Sequence, residues 1–252
     1  MRFLPVLLLL ACGKLETASK SNPYDEGSFE RVDIFNIEGS VTVHSTETPV
    51  VDAILGWRGE VQPDLEVRIA GGTLLITTAC PEEARKCRVD LDVKVPTEVD
   101  VDVVATKGDV LLDGISGVVD IEVVEGNLTL SEVSGNTRAS VPKGEVDMSA
   151  VSGRLELSVP EGAVYATELT APTFDLRAAN ELVEVEWATQ PDLVEIITDK
   201  GDMVVRLPDG TYDVVTTTRR GTVSVTGISN STEADSVVLL TSTKGDLSVE
   251  GL

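Results

Sequence analysis

Between residues 108 and 162 glycine recurs every nine residues, at positions 108, 117, 126, 135, 144, 153 and 162. No other feature of the chain narrows its fold so far, because a fixed beat marks a chain that repeats one structural unit. Two sorts of nine-residue unit alternate on it. One reads GDVLLDGIS, GNLTLSEVS and GEVDMSAVS, with apolar residues at the third, fifth and eighth places. The other reads GVVDIEVVE, GNTRASVPK and GRLELSVPE, with small or apolar residues at the third, fifth and seventh. The full repeat is therefore 18 residues long.

Within these units Val110, Leu112, Leu128, Leu130, Val146 and Met148 fall on a period of two, which predicts strands with one buried face. Three buried side chains contribute about 5–9 kcal/mol per unit, whereas ordering nine backbone residues costs about 9–18 kcal/mol. One unit cannot stand alone. Stacking like units, so that each shares ladder hydrogen bonds with its neighbours, resolves the deficit. Glycine recurs where the chain turns a corner, because it reaches positive φ without steric cost.

The corner grammar returns at KGDM (Lys200), RGTV (Arg220) and KGDL (Lys244), which repeat KGDV (Lys107) and KGEV (Lys143). Strand patterns run from Phe29 to Glu250, and Pro172 interrupts the beat, which predicts a bulge or inserted loop around residues 170–192. The expected fold is all-β, a single-domain β-solenoid (β-helix) of about 18–24-residue coils over residues 29–252. The competing architecture is an antiparallel β-sandwich, distinguished by whether strands 18 residues apart pair in parallel. The stretch GDLSVEGL ends as a strand with no evident cap, which leaves end-to-end self-association open as a mode of assembly.

The order of IEGSVTV, VDLDVKVP, the corners KGDV, SGNT and KGEV, then VVRLPDG and KGDLSVEG resembles a bacterial family of domains of unknown function named as putative adhesins. The resemblance spans residues 29–252. It implies a β-solenoid and an adhesin-like binding or scaffolding role, and it brings no catalytic residue with it.

The opening MRFLPVLLLLACGK joins one positive charge, Arg2, to an apolar run too short to span a bilayer as a helix. Residues 1–11 are expected to be a lipoprotein signal peptide, since Leu9-Leu10-Ala11-Cys12 resembles a lipobox, with Cys12 the site of lipid attachment. An ordinary signal peptide that happens to hold a cysteine is the plainer alternative. Residues 12–28 are polar and unpatterned, and read as a flexible tether holding the body roughly 20–25 Å from its anchor. This predicts a lipid-anchored protein of the bacterial cell envelope, expected at the outer membrane because Gly13 is not the aspartate that, in enteric bacteria, resembles an inner-membrane retention signal. Cys80 and Cys87 then remain, enclosing six residues, and a disulfide worth about 2–3 kcal/mol is expected.

A formal charge of −23 excludes nucleic acid as a partner. Hydrolytic triads need a histidine base, and the single His44 beside Ser45 reads as solvated. No G-x-S-x-G, H-E-x-x-H or phosphate loop occurs, so neither metal nor cofactor is expected and the chain is read as no enzyme. The alternative is a carbohydrate-active enzyme of the cell wall built on a β-helix, working with paired carboxylates. Trp57 and Trp187, the only tryptophans, are expected to pack loops rather than line a sugar cleft. Asp90, Asp92, Asp100 and Asp102 point outward in pairs. On neighbouring strands they would form one patch calling for a cation such as Ca²⁺, although a solvated face that discourages edge pairing is the expected reading. The lysines of the KG corners are assigned to turn chemistry. The partners that remain are the membrane, through the lipid, and a protein or polysaccharide ligand.

Overall fold

Buried and exposed side chains alternate along almost every strand of the computed structural model, which describes residues 16–24, 29–83 and 85–252. In one strand Val119, Ile121 and Val123 are buried while Asp120 and Glu122 face solvent. The entry region contains β1 (Glu16–Pro23), β2 (Arg31–Glu38), β3 (Val41–Ser45), β4 (Val50–Arg58), β5 (Asp64–Ala70), β6 (Thr73–Ala79) and β7 (Arg85–Val95). The regular body follows with β8 (Asp100–Lys107), β9 (Val110–Asp113), β10 (Val119–Glu125), β11 (Leu128–Ser131), β12 (Thr137–Ser140), β13 (Val146–Ser149), β14 (Arg154–Val159), β15 (Val164–Leu169), β16 (Thr173–Ala178) and β17 (Val183–Trp187). The chain closes with β18 (Leu193–Lys200), β19 (Met203–Leu207), β20 (Thr211–Thr218), β21 (Val223–Thr226), β22 (Ser229–Asn230), β23 (Val237–Lys244) and β24 (Leu247–Gly251). No helix occurs among the described residues.

These strands form two mixed sheets of 12 strands each. From β8 to β19 successive strands go to opposite sheets, and each pairs in parallel with the equivalent strand of the next repeat. Val119 lies opposite Val101 and Thr137, and Leu128 lies opposite Val110 and Val146, an offset of 18 residues each time. Parallel pairing at that offset is the register that the 18-residue repeat predicts. Antiparallel pairs are confined to the entry region, between β1 and β4, β4 and β7, and β5 and β6. Twelve strands at about 4.8 Å give each sheet a length near 50 Å.

The core lies between the sheets in columns. Val110, Leu128, Val146 and Val164 form one, and Ile115, Val133, Val151 and Leu169 form another at the apolar corner, all at most 1% exposed. The glycine corners also stack. At Gly126 φ is +150°, and a Cβ there would lie 2.1 Å from the Gly108 carbonyl oxygen. Asp or Asn after the glycine adds a second ladder: Asp109 Oδ1 accepts from the Asn127 N–H at 2.9 Å, and Asn127 Oδ1 accepts from the Glu145 N–H at 2.9 Å. The KG[DE] motif is thus corner chemistry that joins one repeat to the next, while Lys107 stands between Glu38 and Glu125 on adjacent strands.

The stack departs from the simple repeat in three places. An irregularity appears just before the expected stretch, where the register of β15 slips between Ala166 and Leu169 against Val185 and Trp187 of β17. Trp187 fills the space, fully buried, with its indole N–H donating to the Ala171 carbonyl at 3.2 Å.

The second departure corrects the reading of residues 12–28 as a flexible tether. Glu16–Pro23 is the edge strand β1, antiparallel to β4. Its polar sequence shows no alternation, because the strand is held by backbone pairing on an open edge rather than by a buried face.

The third corrects the picture of an uncapped last coil. β23 lies between β18 and β20, and β24 between β19 and β21, so residues 237–251 sit inside the stack. The entry region shows the same device, with β2 between β6 and β8 and β3 between β7 and β9.

Candidate binding surface

Cys12 and the segment 1–11 lie outside the described residues. Cys80 and Cys87 are joined by a disulfide, with Cα atoms 5.7 Å apart, across the connection from β6 to β7. His44 is partly exposed, its ring 3.9 Å from Asp92 and 3.6 Å from Asp113 on the flanking strands. The four aspartates do not share a patch: β7 carries Asp90 and Asp92 into one sheet, and β8 carries Asp100 and Asp102 into the other. The corner between these strands turns the chain from one face of the molecule to the other. Among the described residues no group of three or more His, Cys, Asp or Glu side chains is arranged to hold a metal ion.

Asp90 and Asp92 instead belong to a groove of about 520 Å³ on the outer face of the first sheet. The groove exists because β4 and β1 add antiparallel strands beside β7 and β3. One row across it runs Ser21, Asp52, Asp92 and Thr42, each opposite the next. A second runs Ser19, Ile54 and Asp90, with Ser40 at the end of the groove. Ile54 is 58% exposed, more than any other large apolar side chain on a strand among the described residues.

The groove's charges are organised around two cations. Lys94 Nζ lies 3.3 Å from Asp52 and 3.1 Å from Asp92, and hydrogen bonds to Asp92 and then Asp52 push its ammonium above the usual lysine range. The Ser21 hydroxyl, with Lys94 behind it, holds the Asp52 carboxyl below the ordinary aspartate range. Burial alone would raise Asp90, but the Ser40 N–H and hydroxyl at 2.9 and 2.8 Å, together with Arg88, outweigh it and hold this carboxyl low as well. Ionised acceptors, hydroxyls that donate or accept and one bare aliphatic side chain therefore line a single concavity. That combination suits a ligand bearing hydroxyl or amine donors next to an apolar face. Sequence reasoning missed this site. Its local signals are two outward pairs, Asp90 with Asp92 and Asp52 with Ile54 in VVDAILGW, and nothing local says that they meet, since the residues paired with Asp52 and Ile54 lie 31 to 40 positions away.

On the second sheet Asp33, Asp102 and Asp120 are stacked on adjacent parallel strands. Arg31 bridges the first two, at 2.6 and 2.9 Å. Burial, and then the neighbouring Asp33, raise the Asp102 carboxyl above its ordinary value despite Arg31. A raised carboxyl pKa means that the fold disfavours the ionised form. Asp102→Asn is therefore expected to stabilise the chain at pH 7 by about 0.2–1 kcal/mol, the scale of a like-charge cross-strand pair. That corresponds to roughly 1–3 °C in melting temperature. The gain should fade as pH falls and vanish below about 3.9, where the parent carboxyl is protonated in both folded and unfolded chains. Calorimetry of both chains between pH 3 and pH 8 checks the sign.

No protein-family model matches this chain, and no curated protein matches it. Solved structures do. A putative adhesin from Bacteroides fragilis is similar at 14% identity with a TM-score of 0.50, over 95% of this chain and 97% of that one. A putative cell adhesion protein from Clostridium sporogenes matches at 8% identity with a TM-score of 0.32, over 94% and 100%. A putative lipid binding protein from Parabacteroides distasonis matches at 13% identity with a TM-score of 0.28, over 95% and 98%. At these identities the likeness to the Bacteroides fragilis protein is one of fold.

Proposed function

We propose that this chain is a lipid-anchored β-solenoid of the bacterial cell envelope, held at the outer membrane through Cys12, that acts as an adhesin-like binding or scaffolding module and not as an enzyme. The groove between Ser21 and Thr42 carries the binding part of this reading, since it is a built concavity of polar and apolar groups on an outer face. The solenoid part is supported by the 18-residue parallel register and by glycine stacking on glycine along the corners. The adhesin-like part draws support from the fold shared with the Bacteroides fragilis protein. Because β1 begins at Glu16, four peptide steps separate it from Cys12. The start of β1 then stands within about 14 Å of Cys12, closer than a free tether would hold it.

The test compares three chains expressed in a bacterium with a lipoprotein pathway. The parent should carry the acyl mass and fractionate with membranes, and Cys12→Ser should do neither. Ile54→Arg should stay acylated and keep its melting temperature, yet lose about tenfold or more in binding to a glycan array or to purified envelope polysaccharide and protein fractions. A parent chain without acyl mass refutes the anchor. Equal binding by the parent and Ile54→Arg refutes the groove, and no binding by the parent to any of these probes refutes the module.

A further inference from the structure

The position of residues 237–251 between strands that precede them in sequence creates a slot, bounded below by β18 and β19 and above by β20 and β21. The corner glycines show how regular its filling is. A Cβ on Gly245 would meet the Gly201 carbonyl oxygen at 2.0 Å, and a Cβ on Gly221 would meet that of Gly245 at 1.9 Å. Gly201 N–H donates to the Lys244 carbonyl at 3.0 Å, and Gly245 N–H to the Arg220 carbonyl at 2.9 Å. The aspartate ladder also passes straight through, from Asp202 to the Asp246 N–H and from Asp246 to the Thr222 N–H, at 2.8 and 2.6 Å. These contacts are the ones that hold any two neighbouring repeats together, for example Gly108 N–H to the Glu125 carbonyl at 2.9 Å. The segment also buries Val238, Leu240, Leu247 and Val249, on the alternate places that every repeat uses, and its polar side-chain contacts include Thr198 with Ser242 at 3.1 Å and Arg206 with Glu250 at 3.4 Å.

The chain enters the slot through Ser231–Asp235, the polar sequence STEAD, in which Thr232, Glu233 and Asp235 are exposed. Its backbone bonds are the Ser231 N–H to the Tyr212 carbonyl at 2.8 Å and the Ala234 N–H to the Ser231 carbonyl at 3.1 Å. A short polar hinge thus leads to a segment held by generic repeat contacts on both sides.

We propose that residues 237–251 are exchangeable between chains, the slot of one molecule receiving this segment from a second copy. Both slots are filled in the resulting dimer. Every strand pair of the single chain is reproduced, and only the hinge changes path. Exchange of an identical element is a low-cost route to a two-fold dimer, because the contacts in the open and closed forms are the same. The surface involved is the interior of the stack, so this partner is distinct from whatever the outer groove binds.

Ile197 and Thr241 lie opposite each other on β18 and β23, at the separation of adjacent strands, about 4.8 Å, which a disulfide can span. The experiment uses two full-length chains carrying Cys12→Ser, one with Ile197→Cys and a size tag, the other with Thr241→Cys. They are refolded together from denaturant over a wide concentration range, then oxidised. Exchange predicts a tagged–untagged cross-linked dimer whose yield rises with concentration. Deleting Thr232–Asp235 shortens the hinge, and should increase that yield at least tenfold while shifting the sedimenting species to a dimer. Absence of the 197–241 cross-link at every concentration overturns the proposal, whether or not the hinge-shortened chain folds. So does a hinge-shortened chain that folds and remains monomeric.

Discussion

Gly126→Ala should melt roughly 10–15 °C below the parent chain, a loss of about 3–5 kcal/mol in a protein of this size. Two costs add at this position. The backbone is at φ +150°, where a side chain is strained, and the new Cβ would lie 2.1 Å from the Gly108 carbonyl oxygen and 2.5 Å from its carbon. Neither atom can move away, because Gly108 is itself seated on Gly39, where a Cβ would meet the Gly39 carbonyl oxygen at 2.1 Å. Gly72→Ala is the matched control, with φ +80° and nothing within 4 Å of the added carbon. It should lose only the conformational part, about 1–2 kcal/mol. Equal melting temperatures for the two variants would show that corner stacking contributes nothing. Gly135→Ala isolates the other part: without a left-handed φ, its Cβ would still stand 1.7 Å from the Gly117 carbonyl oxygen.

Trp187→Ala should cost a further 3–5 kcal/mol or so, the usual scale for emptying a buried aromatic site. The indole is fully buried and meets the Phe174 ring edge-to-face, with centroids 5.4 Å apart. It also satisfies the Ala171 carbonyl in the irregular stretch where the register of β15 and β17 slips. Removal therefore leaves both a void and an unpaired acceptor next to a connection that the repeat does not stabilise. Trp187→Phe keeps most of the ring and loses the hydrogen bond, so it should fall between parent and alanine variant, about 1–2 kcal/mol below the parent. Urea midpoints at constant slope measure both. A Trp187→Ala chain within about 1 kcal/mol of the parent, the scale of an ordinary substitution, would mean that the neighbouring strands close the space without it.

The sequence shows where local chemistry decides the structure, and is silent where distant segments meet. Residues 108–162 were legible because every nine-residue unit carries its own evidence: a glycine where a carbonyl approaches and small or apolar residues at alternate places, joined at Asp109, Asn127 and Asn136 by a side chain that caps the next corner. Parity decides one open alternative. Asp90, Asp92, Asp100 and Asp102 look like one group along the chain, but the corner at Pro96–Val99 sends the second pair to the other sheet. β1 was hidden because ETASKSNP buries no apolar side chain and pairs chiefly through its backbone.

The order of the final strands was hidden for the opposite reason. Lys200, Lys244 and Arg220 open corners so alike that any stacking order satisfies their pattern, and the observed one depends on the whole chain. The groove needed both kinds of information at once. Ser21, Asp52, Asp92 and Thr42 come from four strands, three of which are related by antiparallel pairing that the repeat does not predict. No family model matches the chain, so the resemblance seen in its corner motifs rests on pattern and fold.

Alternate nine-residue units face opposite sheets, and this parity restricts how the molecule can lengthen or shorten over generations. Deleting nine residues between 108 and 162 would deliver every later strand to the other sheet, where its third and fifth places would still point inward but its seventh and eighth would be exchanged, taking Ile115, Val133 and Val151 and their like out of the apolar corner they fill. Adding or removing eighteen would leave each side chain on its own side, and would change the molecule by one graduation of about 4.8 Å. Viable length variants of this stretch should therefore differ by whole turns.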